Sequence, residues 1–361
     1  MLKYVDEYRD VDLCLDIAER IRGISSRPFN IMEVCGGHTM SIRKNGIQKM
    51  IGENINLISG PGCPVCVTSI EDIDKAVALS EIDNVVICTF GDMMRVPGTN
   101  RSFIEAKSEG SDIRLVYSAQ DVLKYAKEDT DRRFVFVGIG FETTTPTIAA
   151  AIKQAKSEGV NNFSVLVFNK TMPEALEAVL GSDDSKIDAL ICPGHVSTIT
   201  GTDMYEPIVE KHEISCCVSG FEPADILRAV YILTDSFERK DPVLVNAYER
   251  VVLKEGNIKA KDIIKEVFEP ADSEWRGLGI IPGSGYRIKE EYSAYDAERI
   301  FDISVPLSKK YSGCICGDVL RGAKTPGNCA LFGKICTPED PKGACMVSSE
   351  GTCAAWYKYG E

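Results

Sequence analysis

No stretch of this 361-residue chain is apolar for long enough to span a membrane. The opening residues, MLKYVDEYRD, hold no positive region followed by an apolar run, so export is not expected. Positive charge is in deficit: 41 Lys and Arg face 54 Asp and Glu, a net charge of −13. That balance argues against a nucleic-acid partner, because neutralising phosphates takes clustered cations. No glycine loop ends in the Gly-Lys-Ser/Thr of a phosphate-binding P-loop, and nothing reads as a long linker or a low-complexity tract. A cytoplasmic protein without membrane or nucleic-acid partners is the expectation.

Cysteine is what the chain does have. Six of its fourteen cysteines (Cys314, Cys316, Cys329, Cys336, Cys345 and Cys353) fall in the last 48 residues, among Gly, Pro, Ser and Thr. Thiols crowded in this way, with no export signal, point to metal binding or electron transfer more than to a disulfide framework. No CxxC pair occurs in this tail, so irregularly spaced thiolates suit an iron–sulfur cluster better than structural zinc. One cluster needs four thiols, which leaves two over.

Ahead of the tail, short apolar runs alternate with helical periodicity. Strands are expected over Phe29–Cys35, Ile55–Ser59, Asn84–Phe90 and Ile113–Tyr117, then over Phe134–Ile139, Phe163–Phe168, Ile187–Cys192 and Ile214–Ser219. Near-continuous apolar runs are how parallel strands covered on both faces read. The two sets lie about one hundred residues apart, a usual domain size. The fold expected is α/β: two duplicated doubly wound parallel-sheet domains plus a cysteine-rich iron–sulfur domain. The division expected is an N-terminal helix within 1–27 packing on the core or third domain, α/β domains over 28–130 and 131–238, and a C-terminal helical and cluster domain over 239–361. Helices are expected near Val11–Arg22, Val243–Leu253 and Lys261–Phe268, with an irregular Gly/Pro segment over Trp275–Gly285.

Open α/β sheets bind ligands beyond the carboxyl ends of their strands. There the first set places Cys35-Gly36-Gly37-His38-Thr39, then Gly60-Pro61-Gly62-Cys63-Pro64-Val65-Cys66, then Gly91-Asp92-Met93-Met94-Arg95. Cys35 and His38 read either as a core thiol with a satisfied histidine or as two ligands of a transition metal. The glycines between them leave room for a ligand and favour the metal. Cys63 and Cys66, before a helix expected near Thr68, read as a dithiol/disulfide couple; half of a zinc site is the alternative. Asp92 is a weaker candidate, since it could pair with Arg95. The second set supplies Glu142, in Gly140–Pro146, and His195, in Pro193–Thr198, as the opposite wall of a cleft. His212, between Lys211 and Glu213, reads as a solvated residue.

These motifs carry a resemblance. CGGHT at Cys35–Thr39, GPGCPVC at Gly60–Cys66, TFGDMMRVPG at Thr89–Gly98, GFETTTP at Gly140–Pro146, PGHVSTI at Pro193–Ile199 and IPGSGYRIKEEYSAYDAERIF at Ile281–Phe301 resemble the HypD hydrogenase-maturation family, as does the cysteine tail. The resemblance implies a redox-active assembly scaffold rather than a stand-alone enzyme. Such a scaffold builds the Fe(CN)2CO unit of [NiFe] hydrogenases with a HypC-type chaperone and a HypE-type cyanide donor, and so serves the hydrogenase large subunit indirectly. It also implies a [4Fe–4S] cluster on Cys314, Cys329, Cys336 and Cys353, whose intervals of fourteen, six and sixteen residues match the family's. Cys316 and Cys345 would then be a redox pair beside the cluster. Cys35 and His38 would hold the nascent iron, Cys63 and Cys66 would relay electrons, and Asp92, Glu142 and His195 would orient groups or supply protons. Rival readings are a cluster-dependent protein disulfide reductase resembling ferredoxin–thioredoxin reductase, and a zinc-stabilised binding module.

Overall fold

All eight expected strands form, each within two residues of its expected limits: β1 (Phe29–Glu33), β2 (Ile55–Ser59), β3 (Val85–Thr89), β4 (Ile113–Leu115), β5 (Arg133–Gly138), β6 (Phe163–Val167), β7 (Ala189–Pro193) and β8 (Ser215–Ser219). The structure is a computed structural model that describes residue 3 and residues 5–182, 185–309 and 311–360. The helices start where the local chemistry lets them. Ser69 and Asp72 form a capping box ahead of Ile70–Leu79, and Ser118 and Asp121 do the same ahead of Ala119–Glu128. The helix Val11–Ile24 is capped by Asp10 and packs on the long helix Pro223–Arg239. Among the described residues, no helix is long and apolar enough to cross a membrane.

The strands assort differently from their order in the chain. One parallel sheet runs β2-β1-β7-β8 and ends on a ninth strand, β9 (Leu244–Asn246); the other runs β4-β3-β5-β6. The boundary expected at residue 130 therefore falls inside the four-stranded sheet, between β4 and β5. The pairing of β1 with β7, Ile31 opposite Ala189 through Glu33 opposite Ile191, produces this arrangement. The chain leaves the first sheet after β2, builds the whole second sheet, and returns. Apolar runs announce strands but carry no label for their neighbours, so strand order was the part of the division that pattern reading got wrong.

Residues 239–361 likewise divide among several places. The helix expected over Val243–Leu253 begins instead as strand β9, because Leu244–Asn246 pairs with Cys216–Val218 and buries an edge of the sheet. The helix Ile258–Val267 matches expectation and lies against Thr145–Glu158. The segment read as irregular is half of an antiparallel hairpin, β10 (Phe268–Trp275) with β11 (Gly279–Ile288). Its alternating burial was masked by Pro270, Pro282 and four glycines. The tail from Tyr311 onwards folds mostly as turns and helices of at most eight residues, laid over the thiol-bearing loops.

Candidate metal and thiol centre

Cys35 leaves β1 in extended conformation and becomes the residue before the helix Gly36–Lys44. The two glycine loops are in backbone contact: Gly36 N donates to Gly62 O at 3.1 Å. A Cβ on Gly62 would overlap the backbone of Cys35, and one on Gly36 would overlap Glu350 of the tail. Neither position tolerates a side chain, which fixes the CGGHT loop between the CxxC loop and the tail. Cys35 is 8% exposed. Burial pushes its thiol up to about 12, and the charge of Glu350 adds to that, while the amides of Gly37 and His38 act against it. A thiol held this way gives up its proton only to a strong competitor, such as a metal ion.

His38 is fully buried, and its Nε2 donates to Gly220 O at 2.9 Å. With the proton on Nε2, Nδ1 keeps a bare lone pair, and it has no hydrogen-bond partner. Burial lowers the pKa to about 4, so the ring is neutral, the form that binds metals. Phe221, from the loop after β8, stacks on both His38, at 4.7 Å between centroids, and His195, at 4.0 Å. His195 thus joins His38 because β7 and β8 belong to the sheet of β1.

Cys63 and Cys66 form a disulfide with Cα atoms 5.2 Å apart. The CxxC is itself the short helix Pro64–Val67, started by Pro64 and capped by Cys63, whose Sγ accepts from Cys66 N at 3.3 Å. The helix expected near Thr68 starts separately at Ile70. Asp92 does not pair with Arg95, which donates to Pro338 O at 2.6 Å. It accepts from Ser348 Oγ at 3.0 Å, and its charge acts on Glu350. Asp92 is thereby tied to the tail loop that covers Cys35. Glu142 lies elsewhere. It is 4% exposed and accepts from Met172 N at 2.9 Å, and its other oxygen is unpartnered. Burial raises its pKa to about 7, and it lines a cavity of about 290 Å³ with Thr171, Ile199, Phe268 and Tyr286.

Sequence reading passed over three residues at the crevice. Glu33 lies buried below Cys35 and accepts from Thr39 Oγ1, Ser59 Oγ and Gly60 N; burial raises its pKa to about 8. Its place at the end of an apolar strand was a signal, since a lone buried acid there needs a reason. Phe221 follows a strand end and could have been weighed like the other loop residues. Glu350 sits in an aperiodic tail that gave no hint of its neighbours.

The six tail thiols line one cavity with Val319, Leu331, Phe332 and Met346. Cys316 and Cys345 are free thiols in this structure, and Cys314 is held well above the usual thiol range by a hydrogen bond with Cys316 and by burial. Among the described residues, no group of three or more His, Cys, Asp or Glu could hold a metal ion. In a cluster, however, each thiolate binds its own iron, so the sulfurs need not crowd around one point. Soft donors, apolar walls and no carboxylate fit a thiolate-held iron–sulfur cluster. The cavity adjoins the crevice: Ala344–Met346 packs on the CxxC helix, and Thr352–Tyr359 packs on Gly36–Lys44, with Arg43 over the Trp356 ring at 4.0 Å.

Fold and site together define an α/β protein organised around two adjoining thiol centres, one in a sheet crevice and one in a turn-rich tail. The sequence profile of the HypD family, described as "Hydrogenase formation hypA family", matches residues 12–360. The chain is 44% identical over 369 aligned positions to the hydrogenase maturation factor HypD of Rhizobium leguminosarum bv. viciae, covering 99% of this chain and 96% of that protein. It is 43% identical over 366 positions to the HypD of Escherichia coli K12, covering 99% and 98%. It is 44% identical over 349 positions to a putative hydrogenase expression/formation protein of Methanocaldococcus jannaschii, covering 97% and 96%. The chain belongs to the HypD family of hydrogenase maturation factors.

Proposed function

We propose that this protein is the cytoplasmic scaffold on which the Fe(CN)2CO unit of a [NiFe] hydrogenase is assembled, in complex with a HypC-type chaperone and with cyanide from a HypE-type donor. The observation that carries the reading is the bare, buried Nδ1 of His38 in a glycine-walled loop with Cys35. A neutral imidazole and a thiolate are two ligands for the iron cargo, and positions remain for a chaperone thiolate and for small ligands. Gly36 and Gly37 let Glu350 and Phe221 pack directly on the loop, and Gly220 O, by accepting from Nε2, fixes the tautomer that leaves Nδ1 free to ligate.

Cyanide delivered as a thiocyanate must be released reductively: the S–CN bond breaks with two electrons, giving a thiolate and cyanide. The Cys63/Cys66 dithiol supplies both electrons by closing to the disulfide, releasing two protons, one taken by the departing thiolate and the other by the cyanide. Cys314, Cys329, Cys336 and Cys353 would hold a [4Fe–4S] cluster, which supplies single electrons when bound. Cys316 and Cys345 line the same cavity and would be the pair that restores the dithiol. Asp92 and Glu350 position the loop over Cys35 and give it an acidic edge. A protein disulfide reductase would use the same thiols but leaves the orphaned imidazole unexplained. The test is anaerobic co-purification with a HypC-type chaperone: infrared bands of iron-bound cyanide and carbon monoxide are expected, and their absence with hydrogenase genes expressed would defeat the scaffold reading.

A further inference from the structure

Arg276 follows the last residue of β10 and is 6% exposed. Its backbone N donates to Val67 O at 2.8 Å, its Nε to Thr68 O at 2.7 Å and its Nη2 to Pro97 O at 3.1 Å. Val67 and Thr68 directly follow Cys66. The next residue, Gly277, packs on Gly317 in the helix that begins at Cys316, and Arg321 donates to its carbonyl at 3.2 Å. Arg276 also lines a cavity of about 420 Å³ with Cys314, Cys316, Glu274 and Asp318. One residue therefore touches the CxxC element and a cavity that shares Cys314 and Cys316 with the six-thiol cavity.

Its charge has no carboxylate partner of its own. Among the described residues, every hydrogen bond from the guanidinium ends on a neutral backbone carbonyl. Of the acids whose charge acts with it, Asp72 is engaged by Lys170 at 3.7 Å and by Ser69 N at 3.2 Å, and Glu274 shares its charge with Lys170. An arginine stays protonated even when buried, and a buried charge is costly unless an opposite charge answers it. Burial lowers the pKa of Arg276, and the groups that act against this are, in order, Cys316, Cys345, Cys314 and Asp72. Three of these four groups are cysteines of the tail, which become anionic only when the site is loaded.

We propose that Arg276 is the counter-cation of the cysteine cavity, a positioning residue that balances the negative charge gathered there when the site is loaded and reduced. Reduction adds one negative charge within reach of a fixed positive one, so the reduction potential of the site is higher with the arginine than without it. The inference rests on the cluster reading given above. It adds a residue that sets how readily the cavity accepts an electron.

A redox titration of the anaerobically reconstituted full-length protein, read by visible absorbance and by electron paramagnetic resonance, tests this. It compares wild type, Arg276→Gln and Arg276→Lys. The glutamine variant is expected to shift to more negative potential by about 59 mV, roughly tenfold in the reduced-to-oxidised ratio for one electron. The lysine variant is expected to recover most of that shift. Identical midpoints in all three proteins, or equal shifts in both variants, would overturn the inference, because a merely structural fork is lost in lysine as well as in glutamine. If Arg276→Gln takes up no cluster, Arg276→Lys decides alone: a midpoint close to wild type supports the role, and a full tenfold shift refutes it. A colourless wild-type protein would instead bring down the cluster reading, and this inference with it.

Discussion

The two thiol centres are built in opposite ways. Cys35 is held by a strand, a helix start and the Gly62 contact, all supplied by the sheet domain without the tail. The tail cysteines are joined by turns and short helices, and the interior they share is the cavity they line. Regular backbone satisfies its own hydrogen bonds and positions a side chain in advance, whereas a turn-rich segment draws more of its order from a metal or cross-link. On the proposed reading the crevice is a preformed receiver for cargo, and the tail is a segment that a bound cluster would organise.

The largest effect that separates them is on the tail. Cys336→Ala is expected to lose nearly all cluster iron and to open the tail to proteolysis while residues 5–300 stay protected, as mass spectrometry of limited digests would read. Retention of both iron and protection would erase the difference between the centres.

A pH effect should belong to the crevice. His38 has a pKa of about 4 in the folded protein against an ordinary value of 6.5, so the unfolded chain binds a proton first. Stability contributed by the neutral ring is complete above pH 6.5 and is lost as pH falls towards 4, by up to about 3 kcal/mol. Denaturant midpoints of wild type and His38→Gln, compared from pH 7 to pH 4.5, should diverge by a slope that the variant lacks. Parallel curves would mean that the ring is not held neutral by burial.

A smaller effect should appear at the seam. Gly36→Ala drives a Cβ into Glu350 and its carbonyl, and is expected to cost about 2 kcal/mol by displacing the tail loop. The Ser348–Asp92 contact should loosen with it, seen as faster amide exchange around Ser348–Gly351. An unchanged melting temperature would show that the two centres are less closely fitted than the backbone contacts indicate.

The same contrast explains what was legible in the sequence. Phe29–Glu33, Phe163–Val167 and the other β-runs read correctly because burial on both faces of a parallel sheet writes itself into consecutive residues. Cys35, His38, Cys63 and Cys66 were singled out because strand ends followed by glycine are where such sheets bind ligands. Which strands adjoin was not written locally. His195 was therefore assigned to an opposite wall when β7 lies beside β1 and its ring shares Phe221 with His38. Glu142 was assigned to the same cleft and instead lines a separate cavity. Arg276 and Glu350 were invisible because their meaning comes from contacts with distant residues, Thr68 for the one and Gly36 for the other, in segments without periodicity.

The central claim is that Cys35 anchors the iron cargo in a crevice that folds without it. The most direct test is to isolate Cys35→Ala with its HypC-type chaperone from anaerobic cells and record its infrared spectrum beside that of wild type. The account predicts a folded, brown complex from which the cyanide and carbon monoxide bands have disappeared, with the melting temperature changed by no more than the loss of one buried thiol, about 1 kcal/mol. Bands at wild-type intensity would contradict it, because the iron would then be held by something other than Cys35.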